Sequence, residues 1–196
     1  MTESKRKGKR LIPIPETLLR GLIEVSCMNG KPLNTYVEET LQKAVRVCKI
    51  GANLEEMVTY FEILNAQKAS GAVFVPLNVF DYLTNEAYEK NQKELFDIWF
   101  NSGIWYGKYI TEKFEEPVKA LVDLLKAIRW DLNEVQIKKS NKKNKLSCTS
   151  TALDVKGTKI LETFIKGILK GMGCEIIESE FLKGLIIIDF LCAQIN

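Results

Sequence analysis

The 196-residue chain carries 28 Lys and Arg against 25 Asp and Glu, a formal charge of +3, with 46% apolar and 9% aromatic residues. That balance describes a chain that folds around its own core, not a disordered tail. It contains no histidine, which excludes Ser-His-Asp and Cys-His nucleophile pairs, H-E-x-x-H zinc proteases and imidazole metal sites, so no catalytic residue, metal site or cofactor is expected and the chain does not read as an enzyme.

The charge is unevenly spread. Residues 1–50 hold ten bases against five acids, and residues 51–196 hold 18 against 20. At the very start Lys5, Arg6, Lys7, Lys9 and Arg10 face only Glu3. A basic arm ahead of a neutral body is the pattern of a nucleic-acid contact beside a domain with another task, and also that of a solubilising tail. Behind the arm there is no apolar signal-peptide region, and no stretch approaches about 18 apolar residues, so neither a leader nor a membrane span is expected. The five cysteines, at 27, 48, 148, 174 and 192, are odd in number and widely spaced. They read as free thiols in a reducing, cytoplasmic interior, packed as small hydrophobes.

Residues 9–14 alternate as a short strand that Pro13 confines to an edge. Pro15 and Glu16 then open a helix with Leu18, Leu19, Leu22, Ile23 and Val25 at helical spacing, and Asn29-Gly30 stops it. A second helix follows, with Val37, Leu41, Ala44 and Val45 as its apolar stripe, starting either at Pro32 or at a Thr35 cap with Glu38 three residues on. One strand and two short helices cannot bury a core alone. Two copies can, with the strands paired as an antiparallel ribbon and four helices over it.

Ile14-Pro15-Glu16-Thr17-Leu18-Leu19 and Gly30-Lys31-Pro32-Leu33-Asn34-Thr35-Tyr36-Val37-Glu38-Glu39-Thr40-Leu41 resemble the ribbon-helix-helix family of DNA-binding proteins over about residues 8–47. The resemblance implies a homodimer whose ribbon enters the major groove of double-stranded DNA, with Lys9, Leu11 and Pro13 facing the bases. It places Lys31 and Asn34, at the second helix N-terminus, against a phosphate. Among the base-facing residues only Lys9 is a usual direct reader, while Leu11 suits a thymine methyl. Pro32 stands where the family often has a hydroxyl.

A boundary near residue 50 separates this module, residues 1–50, from a second domain, residues 51–196. Asn53 caps a helix whose face 54, 57, 58, 61 and 64 is expected to pack on something. Ala72-Val73-Phe74-Val75 reads as a short strand ending at Pro76. Residues 78–114 read as two aromatic-rich helices, in which Trp99, Trp105, Tyr106 and Tyr109, with Phe164 beyond, either line an apolar pocket or fill a core. Glu116-Pro117 opens an amphipathic helix with apolar residues at 118, 121, 122, 125 and 128. A basic tip over residues 138–145 joins two strands and reads as a solvated loop. The last unit is a helix from Gly157-Thr158 to Gly171-Met172-Gly173 and a hairpin of 174–180 with 185–190, turning at Leu182-Lys183-Gly184. Glu178 and Glu180 share one strand face.

From Asn101-Ser102-Gly103-Ile104-Trp105-Tyr106-Gly107 through the amphipathic helix, the polar-tipped hairpin, the Gly-punctuated helix and the closing hairpin, residues 71–191 resemble the 4-vinyl-reductase domain, a relative of trafficking-complex (TRAPP) subunits. This implies an antiparallel sheet packed with helices, and a pocket for an apolar small molecule. The hairpin positions that carry metal-binding cysteines in some members are Phe181 and Ile188 here, which leaves Cys148 and Cys174 without partners. The expected fold is therefore α+β, a dimeric ribbon-helix-helix module joined to a helix-packed antiparallel sheet. The expected function is a homodimeric DNA-binding transcriptional regulator with a sensing or interaction domain. The alternative is an interaction protein that uses the first module only to dimerise.

Overall fold

A computed structural model describes residues 11–69, 72–139 and 143–192. Contacts divide the chain into two compact units, Met1–Val58 and Thr59–Asn196.

The first unit holds α1 (Glu16–Met28) and α2 (Leu33–Lys49). Each follows a proline, Pro15 or Pro32, whose fixed φ suits the entry to a helix and whose missing N–H no helix end needs. α2 thus starts at Leu33 behind Pro32, not at a Thr35 cap. α1 stops as expected: Gly30 takes φ +64°, and the Lys31 N–H reaches back to the Ser26 carbonyl at 3.0 Å. Residues 11–15 carry no strand. The strand expected over 9–14 has no second strand to pair with in a single chain, and its residues 9 and 10 lie outside the described residues.

α3 (Leu54–Ala69) begins as expected at Asn53, whose Oδ1 accepts the Glu56 N–H at 2.8 Å. Its burial differs from expectation. Leu54, Met57, Val58, Phe61 and Leu64 are exposed, while Ile63, Ala66 and Gln67 are buried. Residues 72–76 form no strand either, because a β-branched run is a strand only where a sheet edge receives it.

The second unit continues with α4 (Leu77–Lys113), interrupted at Asn91, whose φ of −154° and ψ of 81° leave the helical region. The two helices expected here therefore meet at a side-chain cap: Asn91 Oδ1 accepts the Glu94 N–H at 3.2 Å. Then come α5 (Pro117–Ile128), β1 (Glu134–Lys139), β2 (Asn144–Thr149), α6 (Val155–Gly171), β3 (Cys174–Leu182) and β4 (Leu185–Cys192). α6 opens two residues earlier than its sequence suggests, because Asp154 caps it by accepting the Gly157 N–H at 2.7 Å. The four strands form one antiparallel sheet in the order β1-β2-β4-β3. The unit is α+β, in three layers: α6 packs on β3 and β4, α5 on β1, and α4 on the far side of α6.

Alternation decides what each strand buries. Val135, Leu146, Cys148, Ile186, Ile188 and Phe190 face the helices and are buried. A bulge between Ile176 and Glu178 shifts the phase of β3, so Ser179 and Phe181 turn inward and Glu175, Glu178 and Glu180 are exposed.

The α4 and α6 backbones approach closely, and four glycines permit it. A Cβ at Gly103 would lie 2.3 Å from the Phe164 carbonyl oxygen, and one at Gly107 would lie 2.1 Å from that of Ile168. Reciprocally, Gly167 and Gly171 would meet the carbonyls of Phe100 and Ile104 at 2.1 and 2.2 Å. Glycine four residues apart on both helices removes one side-chain layer and lets the backbones touch.

On its sheet side α6 buries an acid. Glu162 is 1% exposed and receives Lys159 at 2.7 Å, Lys166 at 2.6 Å and the Ser179 hydroxyl at 2.6 Å. Burial by itself raises its carboxyl pKa, but the hydrogen bonds from Lys159, Lys166 and Ser179 outweigh that and hold it below the ordinary 4.5. The stability it contributes is fully present above that value and is lost as pH falls through the lower folded-state value. Because both lysines are partly solvated, Glu162→Gln is expected to cost about 1–3 kcal/mol at neutral pH. Denaturant melts should show the gap between the two proteins closing in acid, and a gap that widens in acid would refute the assignment.

Two cysteines are not the free thiols expected. Cys174 and Cys192 lie directly opposite one another across β3 and β4 and form a disulfide. Cys148 is a buried free thiol, as expected, and burial pushes its pKa up to about 12. Cys27 and Cys48 are exposed, not packed.

Candidate nucleic-acid interface

The residues assigned to DNA fall into three groups. Lys5, Arg6, Lys7, Lys9 and Arg10 lie outside the described residues. Leu11 is fully exposed and Ile12 largely so, on a segment hydrogen-bonded to no sheet. Lys31 and Asn34 stand at the start of α2 and are exposed.

The α2 N-terminus is built for an anion in the ordinary way. Pro32 provides the carbonyl for the Tyr36 N–H at 3.0 Å but no side-chain oxygen. The first-turn N–H groups of Leu33, Asn34 and Thr35 are therefore directed outward, at the positive end of a 17-residue helix. Lys31 Nζ is engaged at 2.6 Å with Glu39 Oε2, and both side chains are partly solvated. This contact holds the Glu39 carboxyl below the usual carboxylate range. An arriving phosphate would compete with Glu39 for that ammonium, which lowers the gain from Lys31.

More informative is what the two helices leave uncovered. α2 buries no residue and α1 only Ser26, whose hydroxyl donates to the Ile23 carbonyl. Leu18, Ile23 and Val25 of α1 and Leu41 and Val45 of α2 are 39% to 57% exposed. Apolar residues repeated at helical spacing and left in water give each helix an uncovered apolar face.

The five aromatics proposed as a pocket lie in the second unit. Tyr106 and Phe164 belong to its core, and Trp99 packs against it. Trp99 and Tyr106 each meet the Phe164 ring edge to face, at 5.6 and 5.7 Å. Tyr106 also donates to Gln67 Oε1 at 2.6 Å. Trp105 stacks on Tyr109 at 5.4 Å and is 42% exposed. Rings at these separations fill space between themselves. A cleft of about 180 Å³ opens at another place, between the starts of α4 and α6, and none of the five lines it. Its wall includes Phe80, Ile160, Lys156 and the Arg129–Asp131 pair. Burial tends to raise the Asp131 carboxyl, and the Arg129 guanidinium holds it down nonetheless.

Sequence reasoning missed this pair and Glu162. Glu162 had a signal: it is the one acid of α6, on the face of the apolar residues 161, 165, 168 and 169. The tip of the β1–β2 hairpin, read as a solvated loop, is partly engaged, since Lys143 pairs with Asp189 on β4. That contact lowers the Asp189 pKa and raises that of Lys143. Residues 140–142 lie outside the described residues. Among the described residues no group of three or more potential metal ligands occurs, and no helix is long and apolar enough to cross a membrane.

Comparison with protein-family models, with curated proteins and with solved structures found no match.

Proposed function

We propose that the chain is a DNA-binding regulator that works as a homodimer, paired through its first unit in the ribbon-helix-helix manner. The observation that carries this reading is the uncovered apolar surface of α1 and α2. A second copy would cover it and would also supply a partner strand for residues 9–14. The basic arm and the α2 N-terminus then meet phosphates, while Lys9 and Leu11 meet base edges. The second unit is the sensing or interaction part of the same protein.

The test is duplex binding as a function of salt. Fluorescence anisotropy with labelled duplexes is expected to give affinity that falls steeply with ionic strength, with a log–log slope of about −0.9 for each phosphate neutralised. Lys9→Ala with Arg10→Ala should flatten that slope. If no duplex binds, or affinity is indifferent to salt while the chain is still dimeric, the first unit is only a dimerisation clip.

A further inference from the structure

We infer that the open face of the four-stranded sheet pairs with the same face of a second copy, about a two-fold axis running along the strands. Helices cover only one side of this sheet. On the other side each cross-strand register row can be read from β1 to β3. One row is Lys138, Lys145, Asp189 and Glu178. It runs base, base, acid, acid, and of the two acids Glu178 is exposed while Asp189 is only 4% exposed and held by Lys143 of its own chain.

The next row is Gln136, Ser147, Ile187 and Glu180; Leu191, on the far side of the Asp189 row, and Ile177, at the bulge, are 42% and 51% exposed. The face thus has a basic edge on β1 and an acidic edge on β3, to which the bulge contributes by turning Glu178 and Glu180 outward.

Such a polarised row is complementary to itself in one orientation. A two-fold axis parallel to the strands exchanges left and right, so Lys138 meets Glu178 of the second copy and Gln136 meets its Glu180. The two Ile187 side chains then lie close to the axis. An axis across the strands would set Lys138 against Lys138 and Glu178 against Glu178. Like charges so placed cost free energy while opposite ones steer and fix the register, and sheets packed face to face keep their strands nearly aligned.

The face is small. Four strands at about 4.8 Å and six residues at about 3.4 Å give roughly 400 Å² in projection, against about 800 Å² per partner in a standard interface. Its pairing therefore rests on the proposed dimer of the first units, which would hold the two faces at high effective concentration.

The test uses the full chain. Unlabelled and ¹⁵N-labelled protein are mixed, treated with a zero-length carbodiimide, and digested for mass spectrometry. Within one chain Lys138 and Glu178 are three strands apart, about 14 Å, too far for this reagent, so a 138–178 cross-link joining light and heavy peptides reports the pairing. Lys138→Glu should abolish it. In the parent chain that position faces Lys145, so the substitution adds an opposite charge there and leaves the fold intact. The double variant K138E/E178K should restore the cross-link with the two groups exchanged. A chain that light scattering shows to be dimeric but that gives no mixed 138–178 product overturns this inference alone. A monomer overturns it together with the dimer of the first units.

Discussion

Alanine at Gly107 is expected to destabilise the second unit by about 2–3 kcal/mol, and leucine at Gly103 to prevent it from folding. The alanine methyl would sit 2.1 Å from the Ile168 carbonyl oxygen, with Gly171 Cα and Met172 N both at 2.8 Å. These are backbone atoms of a helix fixed on its other side by the sheet, so no side chain can swing away. α4 would have to move off α6 along its length and open the packing of Tyr106, Phe164 and Trp99. The usual gain in helix propensity from Gly→Ala, about 1 kcal/mol, acts in the opposite direction and is outweighed. Gly21 in α1 is the control, because nothing lies within 4 Å of its Cβ; alanine there should leave stability unchanged or raise it. Thermal and urea melts followed by circular dichroism read both effects. If Gly107→Ala is as stable as the parent chain, the helices do not pack as closely as described.

The same glycines show where sequence reasoning stops. Features closed within a few residues were legible: the Asn53 cap, Pro117 at the start of α5, the Asn29-Gly30 stop and the Lys183-Gly184 turn each depend on φ preference or on a side chain reaching its own backbone. Gly171 was read as part of a helix-ending run. It is indeed the last residue of α6, but its close approach to Ile104, 67 residues earlier in the chain, could not be read from that run. The Cys174–Cys192 bond was hidden for the same reason, since spacing gives no register until the bulge at Ile176–Glu178 is placed. Ala72–Val75 has the composition of a strand but pairs with neither edge of the sheet. The aromatic segment had two readings from composition, and the ring separations favour packing. For the DNA-facing residues, the arm carries its message in charge alone, and the strand beyond it depends on a second chain.

Aspartate at Leu41 is expected to abolish the dimer and, with it, binding to any duplex, while leaving the fold of the second unit unchanged. In a single chain Leu41 is 54% exposed and Val45 equally so, so a monomeric protein would treat Leu41→Asp as a surface change worth less than about 0.5 kcal/mol. In the proposed dimer the same position enters the shared core, and each copy brings its own carboxylate. Burying an ionised group without a partner costs several kcal/mol, and two of them should raise the dimer dissociation constant by at least about a thousandfold, at 1.4 kcal/mol per factor of ten. DNA binding should fall in parallel, because an unpaired copy has no ribbon to place in the groove and holds only half of the phosphate contacts. Light scattering over a concentration series measures the first effect and anisotropy the second, with a urea melt followed by circular dichroism confirming that the second unit still unfolds cooperatively. Val45→Asp, one helical turn on, should reproduce both, since positions four apart lie on one face. Glu38→Asp, on the polar side of α2, should reproduce neither. A Leu41→Asp protein that is still dimeric and still binds DNA would mean that the exposed stripe of α2 is not the surface through which the copies pair, and the ribbon-helix-helix reading would fall with it.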